Sequence, residues 1–343
     1  MTEPPAEANL RSHRASWLAL TILGGIVALV ALQPGLRSLA GDTWRELRTI
    51  SVEWLAIIIL ARIGQAIFSA VCWRNALTHA FPRFALPFRF MLGLDQGQDA
   101  LNTLTPARGG TITMIAALRL TIRGATTPKL LAVLAIQNLP FLMFGLLLAA
   151  VLAIGLPDRI REENTLFSSA ADFVARHPVW SWAIFGVVIV GVLAALYLMR
   201  SRIDDVRNEV REGLALLGTP IDYIRLVVAP AFISYLFRWL GVVALLGAFG
   251  IPVTFWTAAL AIGSSAAGGA VRVTPGGVGP SQALDVIALS AYAPAETVTA
   301  FSLANLAVSA VVSTSLALVG LLTGNRRRGI YTVMRARRKA RAG

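Results

Sequence analysis

The sequence predicts an all-α polytopic membrane protein, with about six spanning helices plus two re-entrant helical hairpins arranged as an inverted-topology repeat. Three observations lead there. The chain of 343 residues is 56% hydrophobic and only 14% charged, with a mean hydropathy of +0.68, beyond what an ordinary soluble domain carries. Several apolar runs reach the roughly 20 residues of helix needed to cross a core about 30 Å thick. Two of the remaining apolar stretches are interrupted by proline–glycine breaks, about half a chain apart.

The net charge of +13 raises nucleic acid as a partner, but the lysines and arginines sit at the ends of apolar runs and in the tail. That distribution marks cytoplasmic loops, and no nucleic-acid partner is expected. The single cysteine, Cys72, excludes an intramolecular disulfide framework and a multi-cysteine zinc site. His13, His79 and His177 fall outside the hydrophobic runs, so no metal site and no cofactor are expected.

In chain order, residues 1–16 form a basic cytoplasmic N-terminus. Residues 17–32 read as the first span, although a signal peptide ending near Ser38-Leu39-Ala40 has a similar pattern. The first membrane repeat covers 17–154. Its second span, 54–72, runs inward to Arg74, Arg83 and Arg89. Residues 88–105 form an apolar limb spotted with Asp95, Gln96, Gln98, Asp99 and Asn102, ending at Thr105-Pro106-Ala107-Arg108-Gly109-Gly110. A second limb, 111–122, is about 18 Å long and too short to cross. It ends in Arg119 and Arg123, so the pair reads as a re-entrant hairpin entering from inside. Residues 130–154 cross outward to an acidic extracytoplasmic loop, 155–179.

The second repeat covers 180–322. Residues 180–199 return inward to a charged, surface-lying helical segment, 200–225, and 227–249 go out again. Limbs 256–273 and 283–292 flank Thr274-Pro275-Gly276-Gly277-Val278-Gly279-Pro280-Ser281-Gln282, with no basic residue between Arg272 and Arg326. This hairpin should enter from outside. Residues 297–322 cross inward to a basic cytoplasmic tail, 323–343, read as a topology anchor or as a site for anionic lipid headgroups.

Placing Thr105-Pro106 on Thr274-Pro275 superposes the two halves at an offset of 169 residues and puts Gly110 on Gly279. Opposed repeats with interrupted helices point to a binding site near the bilayer midplane. The second limb of each hairpin begins near mid-depth with free N–H groups and a positive dipole end, suited to an anion. Pro280 fits a first helical position, and Gly276, Gly277 and Gly279 allow close backbone approach or close helix packing. Each half also holds an arginine well inside a span, Arg62 and Arg238. At about 2.5–3.5 kcal/mol each at a helix centre, such residues face a partner or a wet cavity. They either bind an anion or form structural pairs, for instance with Asp95 or Asp99, which lie four apart on one helix face.

Asn102 to Gly110 followed by Arg119, and Thr274 to Gly279 followed by Gln282-Ala283, resemble the two signature regions of the lysylphosphatidylglycerol synthase transmembrane, flippase-like family, with stand-alone members associated with hopanoid lipids. The resemblance extends over most of the chain. It implies a lipid-handling membrane protein, and without the soluble aminoacyl-transferase domain no synthesis of an aminoacyl lipid is expected. The chain departs from the family pattern at Gly110 and at Gln282, where family members carry acids.

The expectation is a non-enzymatic inner-membrane lipid transporter with both termini in the cytoplasm. It binds an amphipathic, anionic membrane lipid through Arg62, Arg108, Arg238, Gly109, Gly110, Pro275, Gly276, Gly277, Gly279 and Gln282, with Asp95, Asp99 and Asn102 balancing charge or carrying protons. Two alternatives stay open: an intramembrane enzyme acting on polyprenyl or phospholipid phosphate, and a scaffold for lipid-biosynthesis proteins.

Overall fold

The computed structural model describes residues 50–82, 84, 86–104, 109–122, 124–155, 204–270 and 280–341. The expected spans 17–32 and 180–199, the loop 155–179 and both breaks, 105–108 and 271–279, lie outside the described residues. Among those described, all regular structure is helical. In order these are α1 (Val52–Ala80), α2 (Phe88–Leu104), α3 (Gly109–Thr121), α4 (Thr127–Gly155), α5 (Asp204–Gly213), α6 (Pro220–Ala248), α7 (Phe255–Ala270), α8 (Pro280–Leu289) and α9 (Ala295–Arg341). Four of them, α1, α4, α6 and α9, are long and apolar enough to cross a membrane. The short helices form two pairs, α2 against α3 and α7 against α8; α8, with 10 residues, is only about 15 Å long.

Two element boundaries differ from the sequence reading. Gly109 and Gly110 belong to the first turn of α3, not to the break. A Cβ on Gly110 would run into the Gln98 carbonyl oxygen and lie 3.0 Å from Asn102 N, so packing against α2 requires glycine there and outweighs its poor helix propensity. The span expected from 227 begins instead at Pro220, because exposed Arg225 sits in a π turn, Ile224–Val228, that the helix runs straight through. The charged stretch before it is the short α5 followed by a 3₁₀ turn, Ala215–Gly218.

Prolines inside the long helices free carbonyl groups that lipid cannot satisfy. Pro230 leaves the Leu226 carbonyl without its helical donor, and Asn75 Nδ2 on α1 donates to it at 2.9 Å. Pro140 does the same to the Ile136 carbonyl, which accepts from the Tyr223 hydroxyl at 3.2 Å. These two bonds tie α6 to α1 and to α4.

The turn between α6 and α7 is fixed locally. Gly250 takes φ 68°, and the Ile251 N–H bonds the Leu246 carbonyl at 3.0 Å while the Gly250 N–H bonds that of Gly247 at 3.1 Å. This is a Schellman termination with Ile251 buried beneath it. Thr254 and Thr257 then cap each other's backbone N–H reciprocally at 3.1 and 2.9 Å, starting α7.

The two halves meet at two helix crossings. On α1 and α6, Gly241 faces Ala61, the Phe237 ring lies over Gly64, and the Ser234 hydroxyl donates to the Gln65 carbonyl at 3.0 Å. On α2 and α9, Gly93 and Gly97 meet Gly320, Leu321 and Ala317, and Gly324 lies against Phe90. A Cβ on Gly320 would stand 2.6 Å from Gly93 N. These are small-x-x-x-small contacts, which let helix backbones approach in a bilayer. One apolar core forms around α7, α8 and α9, another around α2, α3 and the adjoining ends of α1 and α4.

Candidate functional site

A cavity of about 370 Å³ is lined from both halves, by α1, α2, α4, α6, α7, α8 and α9. That volume falls in the range of small-molecule sites. For membrane depth its wall is unusually polar, carrying two arginines, two aspartates and many hydroxyl and amide groups.

The helix crossings described above bring Arg62 and Arg238 onto this wall. The Arg62 guanidinium donates to Gln65 Oε1 at 3.0 Å and to Asn305 Oδ1 on α9. Its buried Nε has no acceptor among the described residues. Its hydrogen-bond acceptors among the described residues are neutral amides, and the Asp99 carboxylate on the same cavity wall acts on its charge. Tyr235, one turn before Arg238, also lines the cavity.

Of the acidic and amide positions singled out in the sequence, Gln96, Asp99, Asn102 and Gln282 line the cavity. Asp95 lies just behind that wall: it is 3% exposed and accepts from Gln96 Nε2 at 3.1 Å, and Gln96 and its other partner, Ser69, both line the cavity. Asp95 and Asp99, four apart on α2, thus differ in depth, Asp99 lining the cavity and Asp95 buried behind it. Gly109 and Gly110 are absent from the described wall, Gly110 being fixed by its contact with α2. Arg108, Pro275, Gly276, Gly277 and Gly279 lie outside the described residues. α8 begins at Pro280, and Ser281 and Gln282 in its first turn reach the cavity.

Sequence reasoning missed Asp285. It is 1% exposed, and its carboxyl is held by hydroxyls from two other helices. Ser264 Oγ lies 2.6 Å and Ser265 Oγ 3.4 Å from Oδ1, and Ser302 Oγ lies 2.6 Å from Oδ2. The signal was present, since Asp285 is the sole acid between Asp222 and Glu296, and a lone carboxylate in an apolar stretch merits the same reading as a lone arginine. Asn305 was also missed. It belongs to a stripe of Ser302, Asn305, Ser309 and Ser313 on one face of α9, legible as a 3-4-4 spacing.

Chemically, the described wall offers two guanidinium cations, hydroxyl and amide donors, and carboxylates from α2 and α8. That set fits an anion with polar substituents. Among the described residues no group of three His, Cys, Asp or Glu side chains is placed to hold a metal ion.

Compared with known proteins, the chain matches no curated protein and no solved structure. Residues 16–317, nearly the whole hydrophobic part, match the family described as lysylphosphatidylglycerol synthase TM region. With four helices able to span a membrane and a family match over most of its length, the chain is an integral membrane protein of the lysylphosphatidylglycerol synthase TM region family.

Proposed function

We propose that this protein moves an amphipathic lipid with an anionic headgroup across the cytoplasmic membrane, carrying out no covalent step on it. The observation that supports this most is the cavity shared by both halves, with Arg62 and Arg238 on one polar wall. A phosphate-bearing headgroup placed there meets two guanidinium groups, each able to donate two parallel hydrogen bonds. Serine, asparagine and glutamine side chains take its remaining polar substituents, while the acyl chains stay in lipid. Holding Arg62 by amide oxygens favours this reading over a purely structural ion pair.

In this reading the pairs α2–α3 and α7–α8 are re-entrant hairpins entering from opposite sides, and the two halves are inverted repeats. Both termini face the cytoplasm, the basic end of α9 attracts anionic lipid headgroups, and lipid-biosynthesis proteins supply the cargo. Membership of a lipid-related membrane family supports the lipid class.

The test is transbilayer movement of headgroup-labelled anionic phospholipid in vesicles reconstituted with the purified protein. Arg62→Gln combined with Arg238→Gln should reduce the rate to that of empty vesicles while the protein still inserts and purifies normally. An unchanged rate in the double variant would remove the arginines from the mechanism.

A further inference from the structure

Asp285 is the most enclosed carboxyl on the cavity wall, and its surroundings are built for two protonation states. A serine hydroxyl has one hydrogen to give, yet Ser264 Oγ lies 2.6 Å from Asp285 Oδ1 and 2.8 Å from the Leu260 carbonyl oxygen. With Asp285 ionised, Ser264 donates to Oδ1. With Asp285 protonated, Oδ1–H donates to Ser264 Oγ, and the serine turns its own hydrogen to the Leu260 carbonyl. Ser302 donates to Oδ2 in both states. Neither state strands a polar hydrogen, so the site accepts and releases one proton by rotating one hydroxyl.

The charges around it are few. Neither α7 nor α8 carries another ionisable side chain, Tyr292 follows α8, and α9 has only Glu296 in its first turn before the basic end. Among the described residues, the charged groups sharing the cavity are Arg62, Arg238 and Asp99. No lysine or arginine pairs with Asp285 among the described residues. A carboxylate ionised there would weaken the pull of the two arginines on an anion, and a proton removes that opposition.

We propose that Asp285 is a proton-binding site filled from the cavity, and that its protonation and the binding of an anionic headgroup beside Arg62 and Arg238 promote one another. The proton passes from cavity water to a carboxyl oxygen of Asp285 and returns the same way. The headgroup half of this rests on the function proposed above; the proton half does not.

Infrared difference spectra of the full-length protein in nanodiscs, titrated from about pH 4 to about pH 9, test both halves. That interval covers free and buried carboxyls. The expected result is a protonated-carboxyl C=O band that bleaches as pH rises and is missing from Asp285→Asn. Ser264→Ala should shift its midpoint, and serves if the Asn variant does not fold. Adding sn-glycerol phosphate should raise the wild-type midpoint but not that of the Arg62→Gln/Arg238→Gln variant. A wild-type spectrum lacking any band that Asp285→Asn or Ser264→Ala alters would overturn the proton site. A titrating band indifferent to glycerol phosphate would overturn the coupling. Titration and coupling in a protein that moves no lipid would instead refute the transport reading and leave this site standing.

Discussion

Arg62 and Arg238 sit near the crossing of α1 and α6, where Gly64, Ala61 and Gly241 let the helices close together. Each would cost about 2.5–3.5 kcal/mol on a lipid-exposed helix, so the wet cavity is what makes them tolerable. The same accounting applies to neutral groups. Removing Asn75 by Asn75→Ala leaves the proline-freed Leu226 carbonyl without its donor, as does Tyr223→Phe for Ile136. Each should destabilise the folded protein by about 1–3 kcal/mol, read as a lower unfolding midpoint in detergent. Asn75→Asp, which offers no N–H, should behave like the alanine variant. Residue by residue, the arginines were legible because a charge within an apolar run is conspicuous. The carbonyl partners were not, because the freed oxygen and its donor lie 151 and 87 residues apart.

At the scale of helices, the contact between α2 and α9 rests on glycines facing backbone. Gly320→Leu places a side chain where even a Cβ meets Gly93 N at 2.6 Å. Because backbone cannot rotate aside, the variant should lose at least the 1–3 kcal/mol typical of overpacking, or fail to accumulate. Gly145→Leu on α4, where a Cβ meets nothing within 4 Å, is the control and should be neutral. α5 is pinned to α4 differently, by Lys129 Nζ and Glu212 Oε2 at 2.6 Å, with the ammonium also 4.6 Å from the Phe81 ring centre. The bond donated by Lys129 holds the Glu212 carboxyl below its ordinary value. A depressed carboxylate pKa stabilises above the unfolded value, near 4.3, and the contribution disappears as pH falls through the folded value. Docking of α5, followed by amide hydrogen exchange, should therefore be constant from neutral pH to about pH 5 and loosen below it. Glu212→Gln should remove that acid dependence. The four long helices α1, α4, α6 and α9 were legible from hydropathy. The start of α6 was not, because Asp222 and Arg225 read as a surface segment, whereas both stay exposed on a helix that has already begun.

For the molecule as a whole, the crossings α1–α6 and α2–α9 each join one half of the sequence to the other, and the cavity draws its wall from both. Proline–glycine spacing marked the ends of the short helices α2, α3, α7 and α8, which the structure pairs as α2–α3 and α7–α8. What occupies the cavity wall was only half readable. Arg62, Arg238, Asp99, Asn102 and Gln282 stood out as polar groups near breaks or inside spans. Asp285 and Asn305 did not, since their role comes from α7, α8 and α9 converging.

Native mass spectrometry of the protein extracted gently from its own membrane, as wild type and as the Arg62→Gln/Arg238→Gln variant, addresses the proposed lipid site most directly. Wild type should retain one anionic lipid class above the bulk membrane composition, and the variant should lose it. Equal retention of bulk lipid by both proteins would contradict a headgroup site at the arginines and leave them as structural residues of the α1–α6 crossing.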